Sequence, residues 1–291
     1  MKIIKTERED VIETIMTHDS GEVDILVFQP KVGGKDRYKL NGKCVTGVTT
    51  ILNVVAKPQV TEWAIKLAYE DCLDRDRYEI ERILENKDWA SKRVSGDAMS
   101  IGTQAHAWVE EYAKAHIKKK PIPALPDDKD LHQILQPFVD WCNGRKPVAL
   151  KKNSYDKNSI NLAPMDSVKF IESEMSAVSK KYFYAGSFDL LLDINGKKYM
   201  ADFKTSSGIY GDSYFHQCAA YWLAWNEMGY DKDIVGAVVI RSGKKGNDFE
   251  VDARYDFDKH SKAFLAALII YKKGQIEIDI KDLHEDTSNP F

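Results

Sequence analysis

Residues 183–205 read FYAGSFDLLLDINGKKYMADFKT. Asn195-Gly196 near the middle is the strongest short-range signal for a type I′ hairpin, because both central residues of that turn need positive φ. With those two residues as the loop, Ile194 faces Lys197, and counting outward sets Asp189 directly opposite Asp202. Lys204, two residues on, projects from the same face. A bulge would shift this register.

Two carboxylates opposed across a hairpin repel each other. Leu190, Leu191, Leu192, Met200, Ala201 and Phe203 around them describe a largely buried strand pair, where unpaired carboxylates are costly. One compensation is a divalent cation. All-oxygen ligands favour Mg²⁺ or Mn²⁺, with open positions for water and phosphate oxygens. The other is that Lys204 neutralises one aspartate while solvent screens the second. The hairpin alone leaves both open.

The surrounding spacing adds to this. Gly186-x-x-Asp189 precedes the turn, Asp202-Phe203-Lys204 follows it, Gln217-x-x-x-Tyr221 comes next, and Gly102-x-x-x-His106 lies upstream. Together, in this order, these elements resemble the PD-(D/E)XK nuclease superfamily, and within it the RecB-like exonucleases of phage and mitochondria. The resemblance spans roughly residues 36 to 272. It implies an α/β fold with a central mixed β-sheet flanked by helices, a restriction-endonuclease-like core, and an N-terminal helical region. It implies one or two Mg²⁺ or Mn²⁺ ions held by Asp189, Asp202, His106 and the Phe203 backbone carbonyl. Lys204 would orient or deprotonate the attacking water and stabilise charge on the phosphate, while Gln217, Tyr221 and Thr205 would meet the substrate.

The activity implied is metal-dependent hydrolysis of DNA phosphodiesters, with exonucleolytic action on ends and single strands favoured. DNA is then the partner, alongside other proteins of replication, repair or recombination. The alternative is a non-catalytic DNA-binding or scaffold subunit that keeps the fold, although such loss normally shows in the D-x-K element, which is complete here. An iron–sulfur cluster, carried by some relatives on C-terminal cysteines, is not expected, because no cysteine follows Cys218.

Composition sets the outer bounds. A chain of 291 residues with 43% hydrophobic and 30% charged residues can bury a large core as one domain. Its expected parts are strands and an opening segment over 1–60, helices over 61–146, and the catalytic core over 167–273. No apolar run approaches a membrane span, and MKIIKTERED has no apolar leader segment. Cys44, Cys72, Cys142 and Cys218 have no C-x-x-C spacing and read as reduced, mostly buried thiols. Both features point to the cytoplasm, or a host's cytoplasm if the gene is viral. A net charge of −3 argues mildly against a DNA-coating protein but not against an enzyme with a local basic groove.

Upstream, Asn41-Gly42 marks a second hairpin, and Val23 to Phe28 reads as a strand. Residues 1–34 are otherwise hard to place, and Lys31 to Lys35 reads as a loop. Thr61 is placed as the cap of a helix running to Leu73, with Trp63 and Leu67 on its apolar side. Further helices are read over Tyr78–Lys92, Asp97–His116 and Lys129–Arg145. A lone helical histidine is more often structural than a ligand, so His106 rests on the resemblance. Lys118 to Lys120 and the proline-rich run after them read as a solvated linker with a basic edge.

Val168 to Val178 alternates as a strand with Glu172 and Glu174 on one face, and the resemblance favours Glu174 beside the metal. A polar excursion is expected over Lys151 to Asn161. After Lys204, a helix is expected over Asp212–Met228, then strands over Ile234–Arg241 and Asp248–Tyr255. Lys244 and Lys245 fall in the loop between those strands. A closing helix over Phe257–Lys273 precedes an acidic tail.

Overall fold

Both Asn-Gly pairs turn with positive φ at each central residue, at 50° and 79° for Asn41 and Gly42 and at 56° and 78° for Asn195 and Gly196. The computed structural model describes residues 2–8, 11–29, 37–145, 150–151, 160–230, 233–243 and 248–273. The loop at 31–35, most of the excursion over 151–161, Lys244, Lys245 and the acidic tail lie outside these residues. The described residues form an α/β fold in which one large mixed sheet is flanked by helices.

The chain opens with β1 (Lys2–Arg8), β2 (Val11–Thr17), β3 (Val23–Phe28), β4 (Tyr38–Leu40) and β5 (Lys43–Gly47), an antiparallel run in sequence order. β2 and β3 are joined through Asp19-Ser20-Gly21, with Gly21 at φ 86°, a turn with no Asn-Gly pair to announce it. Asn41 does more than turn. Its Oδ1 accepts from the Ile25 N–H and its Nδ2 donates to the buried Asp24, both at 2.8 Å.

Helices α1 (Val48–Leu52), α2 (Pro58–Cys72), α3 (Arg77–Asn86), α4 (Ala90–Lys118) and α5 (Lys129–Cys142) follow. Three boundaries differ from expectation. Thr61 is not a cap, because Pro58 with its preset φ starts α2 one turn earlier. The helix expected over 78–92 stops at Lys87, which is left-handed at φ 53°, and α4 begins afresh at Ala90. Neither α2 nor α3 buries a residue, and Trp63 is 39% exposed rather than packed.

The second half supplies β6 (Leu150–Lys151), β7 (Lys169–Ser179), β8 (Tyr184–Ile194), β9 (Lys197–Lys204), α6 (Ser213–Glu227), β10 (Ile234–Ser242), β11 (Phe249–Arg254) and α7 (Phe257–Tyr271). β7, β8 and β9 are antiparallel, β9 and β10 are parallel across the α6 crossover, and β11 returns antiparallel to β10. One face of the sheet packs on α1, α6 and α7 through residues such as Phe188, Phe215, Tyr221 and Phe264. The opposite face packs on α4 and α5 through Tyr112, Phe138, Trp141 and Phe203. No helix among the described residues is long and apolar enough to cross a membrane. All four cysteines are free, but only Cys142 and Cys218 are buried; Cys44 is exposed.

The sheet forks at β8. β7 runs along one edge of β8 for most of its length. The other edge is shared: β5 pairs with Tyr184 and Ala185, while β9 pairs only from Leu190 to Ile194. Residues 186–189 therefore have no ladder partner on that side, and the fork opens at Asp189.

Candidate functional site: a carboxylate row at the fork of the sheet

The register of the central hairpin is the one its turn dictates, with Ile194 opposite Lys197 and Leu190 opposite Ala201. The ladder ends one residue short of the two aspartates. There the Asp189 carboxylate takes over the acceptor's role, and its Oδ2 receives the Phe203 N–H at 2.8 Å. Asp202 is buried, and its Oδ1 receives Lys204 Nζ at 2.7 Å and Gln217 Nε2 at 3.3 Å. Asp202 Oδ2 lies 2.6 Å from the same ammonium, a contact of charge only, because this buried oxygen receives no directed hydrogen bond.

A third carboxylate extends the row. The β7–β8 ladder pairs Ser173 with Leu190 and Met175 with Phe188, so Glu174 falls at the level of Asp189. That pair is missing from the ladder. Glu174 has φ 50°, a left-handed conformation unusual for a glutamate, and its carbonyl instead accepts from Lys5 Nζ at 2.9 Å. This corrects the simple alternation expected for the strand. A bulge between Phe170 and Glu172 interrupts it ahead of both glutamates, and the left-handed turn at Glu174 interrupts it again. Glu174, Asp189 and Asp202 thus stand on three neighbouring strands at one level.

Helix α4 covers this row. His106 Nδ1 lies 3.6 Å from Asp189 Oδ2, and its ring meets Phe203 edge-on at 5.4 Å. Gly102, one turn earlier, lets the helix approach, since a Cβ there would come within 2.9 Å of Thr205 Oγ1. Thr205 accordingly lies against α4. Glu110, one turn beyond His106, was not anticipated from sequence, although its charge acts on both Asp189 and Glu174. Its Oε1 is held by Lys114 Nζ at 2.6 Å, and Lys114 also reaches Glu7 at 3.3 Å. The four-residue step from His106 was the one available cue, because i and i+4 share a helix face.

Gln217 and Tyr221 are on one face of α6 but play unlike parts. Gln217 is half-buried, bridging Asp202 and the Tyr221 hydroxyl, which accepts at 2.9 Å. Tyr221 is 3% exposed and packs under Gly186, so it holds Gln217 in place rather than presenting itself to solvent. Phe203 is fully buried, while Lys204 remains one-fifth exposed with its ammonium 5.4 Å from the Tyr214 ring.

The electrostatics are those of a site short of positive charge. Burial pushes Glu174 up to about 8, with Asp189 and Glu110 adding to it. Burial raises Asp202 to about 6, with Lys204 opposing and Asp189 reinforcing. Asp189 is raised by burial too, against Lys204 and the Phe203 N–H. Burial works to lower the Lys204 ammonium, but Asp202 and Asp189 outweigh it and hold Lys204 above its ordinary value. His106 is lowered to about 4 by burial and by Lys204, so its imidazole is neutral at pH 7.

Among the described residues no three of His, Cys, Asp and Glu already stand close enough to form a cation cage. The donors nonetheless suit one: carboxylate oxygens, a neutral imidazole, and a buried Asp202 oxygen lacking a directed hydrogen bond. A carboxylate with a raised folded pKa binds more protons folded than unfolded, so its contribution to stability falls as pH rises. For Glu174 that window runs from its ordinary value of 4.5 up to about 8. In chelator, wild type is therefore expected to lose melting temperature relative to Glu174→Gln between pH 5 and 8. Mg²⁺ or Mn²⁺ at pH 8 is expected to restore it. Parallel melting curves across that range, with no cation response, would contradict this account.

No family model matches the chain, and no curated protein matches it either.

Proposed function

We propose that the chain is a metal-dependent DNA nuclease of the PD-(D/E)XK type, acting exonucleolytically on DNA ends with single strands preferred. The observation that carries this reading is the row of Glu174, Asp189 and Asp202 across adjacent strands, with Lys204 paired to Asp202 and His106 facing Asp189. Asp189 and Asp202 would hold the cation, with His106, the Phe203 carbonyl and Glu174 beside them. Bound there, Mg²⁺ or Mn²⁺ supplies Lewis-acid polarisation of the phosphate and acidifies a water.

The chain's own residues do the remainder. Lys204 acts as a fixed cation toward the developing phosphate charge, because its aspartate neighbours keep it protonated. Glu174, raised to about 8, can take a proton from the attacking water where it is ionised, toward pH 8 and above. His106 offers a neutral nitrogen next to Asp189, and Phe203 holds that aspartate by its N–H. Gln217, braced by Tyr221, fixes the orientation of Asp202.

The test is digestion of end-labelled single- and double-stranded DNA in Mg²⁺, Mn²⁺ or EDTA. Stepwise shortening with either cation and none in EDTA is expected. Intact substrate under every condition, with DNA still bound, would leave a scaffold protein instead.

A further inference from the structure

The stripe that covers the site does not end with it. Gly102, His106, Glu110, Lys114 and Lys118 follow one another at four-residue steps on α4, each step turning about 40° further round the axis, so that neighbours in the series adjoin while its two ends face different ways. From Glu110 to Lys118 the helix forms the floor of a cavity of about 370 Å³ lined by Glu110, Glu111, Lys114, Lys118, Lys120 and Pro121, among others. The segment after α4, which doubles back along the helix, adds Lys120 and Pro121 to its lining. That segment is fixed: Trp108 Nε1 donates to the Ala124 carbonyl at 3.0 Å, and Leu125 packs into the core beneath. Pro121, Pro123 and Pro126 stiffen it further. Lys118, Lys120 and Pro121 of the basic linker read from sequence thus line a groove.

We infer that this groove is a track for the sugar–phosphate backbone of a single DNA strand leading to the carboxylate row. The inference rests on the nuclease reading above and adds to it the path of the substrate. Three features favour a polynucleotide over a small anion. Its inner end is Glu110, which acts on Asp189 and Glu174, so a strand lying in it meets the proposed site. Its ammonium groups do not converge on a point: Lys114 and Lys118 are one turn apart, about 6 Å along the axis, comparable to the step between successive phosphates. Lys114 is partly neutralised by Glu110 and Glu7, whereas Lys118 and Lys120 are exposed and have no ion pair among the described residues.

The experiment measures binding of a fluorescein-labelled oligo(dT) 20-mer by anisotropy in EDTA, from 50 to 300 mM salt, for wild type and Lys118→Ala/Lys120→Ala. Loss of two phosphate contacts is expected to weaken binding about tenfold at 100 mM salt and to make the log–log salt slope shallower by about 1.4. The Lys118→Arg/Lys120→Arg protein, which keeps both charges, is expected to retain the wild-type slope. Matching melting temperatures establish that all three proteins are folded. An unchanged affinity and slope in the alanine variant would overturn the track, as would a wild type that binds no oligonucleotide. Because binding is read without metal, a failure of cleavage would strike the nuclease reading and leave this result standing.

Discussion

Asp202→Asn is expected to reduce metal-dependent DNA cleavage by about 10³-fold or more while leaving the protein folded. The substitution keeps the shape of a buried side chain, removes its charge and turns one of the two oxygens at Lys204 into a donor. Asp202 is the residue on which the site converges, accepting from Lys204 and Gln217 and standing next to Asp189 in the row. In the metal-free protein its loss relieves repulsion with Asp189, and Lys204, one-fifth exposed, can turn toward water. Stability and activity should therefore separate.

Lys204→Ala is the complementary case. It leaves the Asp202 carboxylate buried without a counter-charge, which costs on the order of 3 kcal/mol where that carboxylate is ionised. The cost should shrink at pH 5, below the value of about 6 at which Asp202 takes up a proton. Melting curves at pH 5 and 8, run beside the cleavage assay, read both effects. Undiminished cleavage by folded Asp202→Asn protein would sink the assignment of the site.

Gly186→Ala is expected to destabilise the protein by about 3 kcal/mol, whatever its activity. A Cβ at this position would lie 2.2 Å from Tyr221 Cε1 and 3.1 Å from Val48 Cγ2. The Tyr221 ring has little room to retreat, since it is buried beside Phe188 and its hydroxyl is held by Gln217. Any retreat would also pull Gln217 from Asp202, so cleavage should fall with stability. Adding Tyr221→Leu to Gly186→Ala is expected to recover part of the stability but not the brace on Gln217. A double-mutant cycle by denaturant unfolding gives the coupling between the two positions. A Gly186→Ala protein within about 0.5 kcal/mol of wild type would refute the close approach.

This glycine shows how the sequence motif and the tertiary structure relate. Gly186-x-x-Asp189 and Gln217-x-x-x-Tyr221 are separate in sequence, but the glycine exists to admit the tyrosine. Gly102 stands to Thr205 in the same relation. Each pattern is visible locally, whereas its cause is a contact with another element.

What the sequence determined by itself is the local geometry. Asn195-Gly196 sets the turn, the turn sets the register, and the register carries Asp189 and Asp202 to the open end of the hairpin. Four-residue spacing on α4 and α6 sets which side chains share a helix face. These follow from backbone sterics and periodicity, which act within a few residues. The tertiary structure decided the rest. It set Glu174 beside Asp189 through a left-handed residue that alternation does not reveal. It brought Glu110 and Lys5 to the row from a helix and an N-terminal strand. It also exposed α2 while burying Tyr221. Charge and burial depend on what packs overhead, and on α4 nothing in the local pattern distinguishes a solvent-facing glutamate from one whose charge acts on Asp189 and Glu174.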